Sequence, residues 1–154
     1  MSMVLFVCTG NTCRSPMAEA LFMHRKGDLD WEAQSAGVYA APGAPASRNA
    51  IEALRELEVD LSGHRSQPLT ADLVEQASLI ATMTEGHRNH ILHCFPEVEN
   101  RVFLINAFGT SKVAADISDP FGGSLSTYKR IRDEIDRALS DLILFLRAQN
   151  NRQR

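Results

Sequence analysis

A continuous apolar run near the amino terminus constrains the fold of this chain more than any other feature. Residues 3–7 read MVLFV, and an uninterrupted run of strand-forming side chains bounded by turn residues is typical of a strand buried on both faces. Such strands belong to parallel sheets, because helices cover both faces of those sheets. The run therefore predicts an inner parallel strand that ends at Cys8.

A short polar loop follows this strand and leads into a helix. Gly10 and Asn11 tolerate the positive φ values that turn successive backbone N–H groups towards one point, a geometry that binds anions. Ser15 is a suitable helix cap, Pro16 suits the first turn, and apolar residues then recur at helical spacing. Because a helix N-terminus adds positive potential, the segment predicts an anion-binding site.

Cys8 and Arg14 frame this loop. A helix N-terminus and a nearby arginine both favour the thiolate form of a cysteine, so Cys8 is expected to be a nucleophile. The planar guanidinium of Arg14 can donate two hydrogen bonds to the oxygens of a bound phosphate. A thiolate beside a phosphate site indicates phosphoryl transfer to sulfur. The alternative is an inert cysteine at a strand end and a surface arginine.

Length and composition limit the class of protein. The 154 residues fit one domain, 1–154, and the 44% hydrophobic and 23% charged residues are ordinary for a globular protein. The apolar stretches are too short for a membrane span and no signal-peptide pattern is present, so we expect a cytoplasmic protein with no membrane partner. Three cysteines do not suggest a secreted disulfide framework, and the net charge of −3 argues against a nucleic-acid partner.

Strand and helix patterns alternate along the chain. This alternation predicts an α/β fold in which a four-stranded parallel sheet lies between helices on both faces, a three-layer sandwich. Ligands of such sheets bind at the carboxyl ends of strands where the strand order reverses, and Cys8 lies at such an end. The predicted strands are 3–7, 33–38, 79–83 and 102–105, and the predicted helices are 16–26, 47–58, 70–76, 85–94 and 124–149.

The motif CTGNTCRSP at 8–16 resembles the low-molecular-weight protein tyrosine phosphatase family. Three further segments match that family in order, so the resemblance runs through nearly the whole chain. They are SAGV at 35–38, GHRSQPLT at 63–70 and DPFGGS at 119–124. Thr12 and the Phe-Gly-Gly after the Asp-Pro pair are most similar to the bacterial protein arginine phosphatases. The resemblance implies the strand order 2-1-3-4, which places the reversal beside the first strand.

The resemblance also implies a two-step phosphatase mechanism that needs no metal and no cofactor. Cys8 attacks phosphorus while Arg14 and the loop N–H groups hold the phosphoryl oxygens, and Asp119 protonates the leaving atom. Asp119 then activates the water that hydrolyses the cysteinyl phosphate. From the residues alone, Asp119 could equally be a turn residue before the last helix. The expected partners are phosphorylated proteins and phosphate, and we expect a monomer.

Other residues receive supporting roles by the same match. Asn11 is expected to stabilise the loop together with Ser35 and His64, and the Ser15 hydroxyl is expected to stabilise the Cys8 thiolate. The alternatives are an ordinary strand-end serine and a surface histidine. The other residues expected to surround the phosphate are Thr9, Gly10, Thr12 and Cys13.

Cys13 lies five positions after the proposed nucleophile. The resemblance implies a reversible disulfide between Cys13 and Cys8 after oxidation, which protects the nucleophile from overoxidation. The alternative is a small packing residue at the start of the helix.

Two positions bear on the choice of substrate. Tyrosine phosphatases of this family carry a bulkier aliphatic residue at the position of Thr12 and two aromatic residues after the Asp-Pro pair, and this chain differs at both places. Thr12 leaves room for a planar guanidinium and can hydrogen bond to it, while Phe121 forms an apolar wall and Asp119 can pair with the cation. We therefore expect protein phosphoarginine as the substrate, with protein phosphotyrosine as the alternative.

Three other functions can be weighed against a phosphatase. Arsenate reductases with the same loop need two further cysteines to relay a disulfide, and this sequence has Cys94 alone left for that purpose. His90 and Cys94 could share a helix face as zinc ligands, but two ligands are too few for a zinc site. A phosphate-binding module without catalysis should lack the nucleophile or the acid, and both Cys8 and Asp119 are present.

Overall fold

The strands form one parallel sheet in the order β2-β1-β3-β4. The computed structural model describes residues 1–109 and 115–152. The predicted α/β fold and strand order are confirmed. The order reverses beside β1, so the loop that follows Cys8 opens into the crevice between neighbouring strand ends. The strands are β1 Ser2–Cys8, β2 Trp31–Gly37, β3 Leu79–Thr82 and β4 Val102–Leu104.

Helices cover both faces of this sheet. The α-helices of the described residues are α1 Arg14–Arg25, α2 Arg48–Arg55, α3 Ala71–Gln76, α4 Glu85–Cys94 and α5 Leu125–Arg152. Two 3-10 helices, Pro96–Arg101 and Ile105–Phe108, flank β4 and were not predicted. The predicted second helix, 47–58, was too long. Glu58 has a φ of 61°, so the chain turns after Arg55 and leaves the helix.

The inner position of β1 is confirmed by its burial on both faces. Val4 and Phe6 pack in a cluster with side chains of α1, α2 and α5, whereas Leu5 and Val7 pack with α3 and α4. All four side chains are fully buried. This two-sided core holds the carboxyl end of β1, and therefore Cys8, in a rigid position.

The long helix α5 supplies much of the core on one face of the sheet. Its apolar side chains recur at spacings of three and four, as predicted, although Leu125 at the start of the stripe is exposed. Arg132 is buried between α5 and α2, where its guanidinium donates to the carbonyl oxygen of Ala53 at 2.8 Å and to Glu56 at 3.1 Å. No helix of the described residues is long and apolar enough to span a bilayer.

The start of α1 differs from the prediction. The helix begins at Arg14, two residues early, and Cys13 takes the cap position without a side-chain hydrogen bond to the first turn. Ser15 lies inside the first turn, and its hydroxyl lies 2.9 Å from Sγ of Cys8. The prediction of Ser15 as the helix cap is therefore wrong. Because no side chain caps this helix, the N–H groups of its first turn remain available to an anion.

Candidate active site

The loop between β1 and α1 turns its carbonyl groups outwards. The carbonyl oxygens of Cys8, Thr9 and Thr12 accept backbone N–H groups from segments outside the loop at 2.9–3.0 Å. Asn11 has a φ of 57°, as a nest of inward N–H groups requires. Gly10, the other residue expected to take positive φ, does not. The backbone therefore presents N–H donors to the space above Cys8.

Asn11 is the fully buried centre of a hydrogen-bond network. Its Nδ2 donates to Oγ of Ser15 at 2.8 Å and to Oγ of Ser35 at 2.9 Å. Its Oδ1 accepts the backbone N–H of Gln67 at 2.9 Å, and its carbonyl oxygen lies 2.8 Å from Nε2 of His64. The structure thus brings Asn11, Ser35 and His64 together. Gln67, which the sequence analysis did not select, completes the contacts that hold Asn11 in its left-handed conformation.

The network has a direction that ends at the Cys8 sulfur. Nδ2 of Asn11 can only donate, so Oγ of Ser15 accepts from it and is left with its own O–H for Sγ of Cys8. Ser35 likewise accepts from Asn11 and donates to Oε1 of Glu19 at 2.6 Å. Burial raises the pKa of Glu19, an effect that the Ser35 hydrogen bond opposes. The Ser15 hydroxyl hydrogen is thereby directed at the Cys8 sulfur, where it can stabilise negative charge that develops during a reaction.

Arg14 and Asp119 meet beside the same loop. Arg14 is buried, and its Nη1 donates to the carbonyl oxygen of Ile117 at 2.8 Å. Its Nη2 lies 3.7 Å from Oδ2 of Asp119, whose side chain is half exposed. Oδ1 of Asp119 accepts the backbone N–H of Phe121 at 3.0 Å. These contacts leave Oδ2 as the carboxylate oxygen that faces the guanidinium.

A cavity of about 230 Å³ unites most of the predicted residues. It lies above the carboxyl end of β1, where the fold predicts a ligand. Phe121 stands at its rim with 76% of its surface exposed. Four predicted residues do not line the cavity: Asn11, Ser15, Ser35 and His64. Ser35 and His64 reach the loop through their contacts with Asn11. The cavity is lined by Cys8, Thr9, Gly10, Thr12, Cys13, Arg14, Asp119 and Phe121.

His87 is a contact of the loop that the sequence analysis missed. Its Nε2 lies 2.9 Å from Oγ1 of Thr9, and its Nδ1 lies 3.0 Å from Oγ1 of Thr84. Burial and, to a smaller extent, the Arg14 guanidinium lower the pKa of His87 to about 4. A threonine helix cap followed three residues later by a histidine was the signal available in the sequence.

The remaining side chains of α4 do not form a metal site. His90 lies 3.8 Å from the sulfur of Cys94, but His87 is engaged by the two threonines. No group of three potential metal ligands exists among residues 1–109 and 115–152. His90 and Cys94 together supply two ligands, which are too few for a zinc site.

Cys13 is a buried free thiol, as is Cys8. Its sulfur lies 3.3 Å from the hydroxyl of Tyr128 and 3.4 Å from Oγ of Ser47. Burial, together with the contact to Cys13, raises the pKa of Tyr128 to about 12. The phenol therefore stays protonated and can donate to the Cys13 sulfur. These contacts link α5 to the start of α1.

Gly37 allows the loop to approach the end of β2. A Cβ at this position would overlap the carbonyl oxygen of Thr9 and lie 2.9 Å from the backbone nitrogen of Asn11. We expect Gly37→Ala to displace the loop and to weaken inorganic phosphate binding by about tenfold or more, since at least one N–H donor moves off the anion. Calorimetric titration with phosphate measures this effect. Gly63→Ala is the matched control, because nothing lies within 4 Å of its new methyl group. Equal affinities for the two variants would contradict the prediction.

Comparisons with known proteins agree with this geometry. The model of the family described as low molecular weight phosphotyrosine protein phosphatase matches residues 3–153. The protein-arginine-phosphatase of Bacillus subtilis (strain 168) is 45% identical over 142 residues, which cover 90% of this chain and 93% of that protein. The YwlE arginine phosphatase from Geobacillus stearothermophilus has a solved structure that superimposes with a TM-score of 0.93. Its sequence is 38% identical to this one, and the match covers 100% of this chain and 98% of that chain.

A second solved structure bears on the chemistry. It is a YwlE arginine phosphatase mutant with a phosphorylated active-site serine, with a TM-score of 0.88 and 43% identity over 94% of this chain and 95% of that one. The predicted family resemblance, including its similarity to protein arginine phosphatases, is confirmed by these matches.

Proposed function

Because this chain belongs to the low molecular weight phosphotyrosine protein phosphatase family, we propose that it hydrolyses phosphoarginine in proteins through a cysteinyl phosphate. The observation that carries the proposal is one cavity lined by the Cys8 thiol, the Arg14 guanidinium and the Asp119 carboxyl group. Thr12 and Phe121 form further parts of its wall. Nucleophile, anion site and proton donor thus surround the same space.

The first step transfers the phosphoryl group to sulfur. Cys8 Sγ attacks phosphorus, the S–P bond forms, and the P–N bond to the substrate guanidine breaks. Asp119 gives its proton to the departing nitrogen, so the arginine side chain leaves as a stable cation. Arg14, held by the Ile117 carbonyl, and the loop N–H groups stabilise the negative charge on the phosphoryl oxygens.

The second step releases phosphate. The Asp119 carboxylate takes a proton from water, the new P–O bond forms, and the S–P bond breaks. Cys8 leaves as a thiolate, which the Ser15 hydroxyl stabilises by its hydrogen bond. No metal ion or cofactor enters either step. The carboxyl group is returned to its protonated form for the next cycle.

Thr12 decides the choice of substrate in this proposal. We expect Thr12→Ile to lower the ratio of the phosphoarginine rate to the phosphotyrosine rate by about tenfold or more, because the larger side chain crowds a guanidinium and removes a hydroxyl donor. Parallel measurements of kcat/KM on phosphoarginine and phosphotyrosine peptides test this. Thr12→Ser keeps the hydroxyl and is the matched variant. An unchanged ratio in Thr12→Ile would overturn the assignment of the substrate.

We extend the proposal to the state of the protein in the cell. It acts as a cytoplasmic monomer of one domain, 1–154, on phosphorylated proteins and without nucleic acid. Under hydrogen peroxide Cys8 is oxidised to a sulfenic acid, and the Cys13 thiol displaces water from it to form a disulfide. The support for this step is that both thiols are free and line the same cavity.

A further inference from the structure

His87 connects helix α4 to the phosphate-binding loop through the side chain of Thr9. The imidazole is buried, with 6% of its surface exposed, and does not line the cavity. Thr9 lines the cavity, and its hydroxyl lies 2.9 Å from Nε2 of His87. Among the described residues, His87 is the one side-chain partner of the Thr9 hydroxyl. His87 therefore reaches a bound ligand through Thr9.

The hydrogen bonds of Thr84 and Thr9, together with a bound anion, determine which imidazole nitrogen carries the hydrogen. Oγ1 of Thr84 accepts the backbone N–H of His87 at 3.2 Å, so its hydroxyl hydrogen is available to Nδ1 at 3.0 Å. In this arrangement Nε2 bears the ring hydrogen and donates to Thr9. The opposite tautomer leaves the Thr84 hydroxyl hydrogen without an acceptor among the residues that the structure describes. Without a ligand, the Nε2–H form likewise leaves the Thr9 hydroxyl hydrogen without an acceptor among these residues. A phosphoryl oxygen in the cavity accepts that hydrogen, so with the anion bound the Nε2–H form satisfies all three donors and is favoured.

The imidazole of His87 is neutral at neutral pH. Burial and the nearby Arg14 guanidinium lower the pKa of His87 to about 4, against the opposing influence of Asp116 and Asp119; His90 adds to the lowering. A neutral ring has one hydrogen and one lone pair. The Thr9 hydroxyl oxygen accepts the hydrogen on Nε2, and the Thr84 hydroxyl donates to the lone pair of Nδ1.

We propose that His87 is a positioning residue for phosphate binding: its Nε2–H donates to Oγ1 of Thr9 and so turns the Thr9 hydroxyl hydrogen into the cavity, where it donates to a phosphoryl oxygen. Because Thr9 has a single hydrogen, it cannot donate to both imidazole and phosphate, and the direction of the His87 hydrogen bond decides between them. The inference rests on the proposed function for the identity of the anion. Its tests use inorganic phosphate and need no turnover.

The tautomer can be measured directly on the wild-type protein. Nitrogen chemical shifts of imidazole separate a protonated from an unprotonated ring nitrogen, so a two-dimensional spectrum of ¹⁵N-labelled protein assigns the hydrogen of His87. We expect the hydrogen on Nε2 with saturating phosphate. A hydrogen on Nδ1 in the phosphate-bound protein would overturn the proposal.

Variants test the consequence for affinity by calorimetric titration with phosphate. We expect His87→Asn, which cannot reach Thr9, to weaken phosphate binding by about tenfold, the effect of one hydrogen bond to a charged acceptor. His87→Gln places an amide donor near the position of Nε2 and is expected to recover most of the affinity. His93→Asn is the matched control, because His93 is exposed on the same helix.

A double-mutant cycle separates a role through Thr9 from general support of the fold. We expect Thr9→Val to lose about the same affinity as His87→Asn, and the double variant to lose no more than either alone. The proposal would be overturned if the double variant lost affinity by the product of the two single losses. It would also be overturned if His87→Gln and His87→Asn bound phosphate with equal affinity. If His87→Asn does not fold, Thr9→Val compared with Thr9→Ser and the wild-type spectrum decide it.

The proposed function can fail separately from this inference. If the wild-type protein binds phosphate but hydrolyses neither phosphoarginine nor an aryl phosphate, the proposed function is wrong. The phosphate titrations of the variants still decide the role of His87 in that case. A wild-type protein that does not bind phosphate overturns the role of His87.

Discussion

Replacement of Cys8 by serine is expected to abolish hydrolysis of phosphoarginine peptides and of a simple aryl phosphate, with residual rates at least about 10³-fold below wild type. The change replaces one atom, so the loop, the Arg14 guanidinium and the Ser15 contact can persist. A serine hydroxyl is a far weaker nucleophile than a cysteine sulfur unless an adjacent base activates it. Loss of the nucleophile therefore removes the first step while the anion site remains.

The measurement combines turnover with phosphate binding. Steady-state rates on both substrates should fall for Cys8→Ser, while calorimetric titration still detects bound phosphate. Cys94→Ser is the matched control, since Cys94 is exposed on α4 and outside the cavity. A Cys8→Ser variant that keeps most of its activity would contradict the assignment of the nucleophile. Hydrolysis of neither substrate by folded wild-type protein would identify the chain as a binding module.

Asp119→Asn is expected to lower the rate on phosphoarginine peptides by about 10²- to 10⁴-fold, the usual contribution of a general acid. The departing guanidine nitrogen needs a proton, and an amide cannot supply one. A nitrophenolate leaving group needs no proton, so formation of the cysteinyl phosphate from nitrophenyl phosphate should be far less affected. Its hydrolysis should still be slow, because the same residue activates water in the second step.

Rapid mixing with nitrophenyl phosphate tests both roles of Asp119 at once. We expect Asp119→Asn to release a burst of nitrophenolate close to one equivalent of enzyme, followed by slow turnover. Asp116→Asn is the control, because Asp116 is exposed and accepts the backbone N–H of Glu85, which an amide oxygen can also do. Equal losses on both substrates without a burst would indicate that Asp119 supports the loop and does not transfer protons.

Local patterns in the sequence were sufficient to predict β1, the loop and the helix that follows it. The apolar run at 3–7 and the turn-forming residues after it act on their immediate neighbours, so their meaning does not depend on distant parts of the chain. The spacing of Cys8 and Arg14 belongs to the same short segment. The resemblance to a known family added Asp119, whose sequence context alone fitted a turn equally well.

Ser15 shows where a local rule fails. A serine before an apolar helical pattern is usually a cap, because its hydroxyl accepts an N–H of the first turn. Here the helix begins one residue earlier than that serine, and the hydroxyl is engaged by Asn11 and Cys8. The Ser15 hydroxyl therefore does not cap the helix, and the N–H groups of the first turn are left to an anion.

The sequence by itself determined the order of the elements and the place of the loop between β1 and α1, since these follow from periodicity and turn chemistry within a few residues. Only the tertiary structure showed that Gln67 and His87 also hold that loop. Thr9 and His87 are 78 positions apart, and Asn11 and Gln67 are 56 positions apart. Hydrogen bonds over such separations depend on how the parallel sheet aligns its strand ends, and no pattern of neighbouring residues records that alignment.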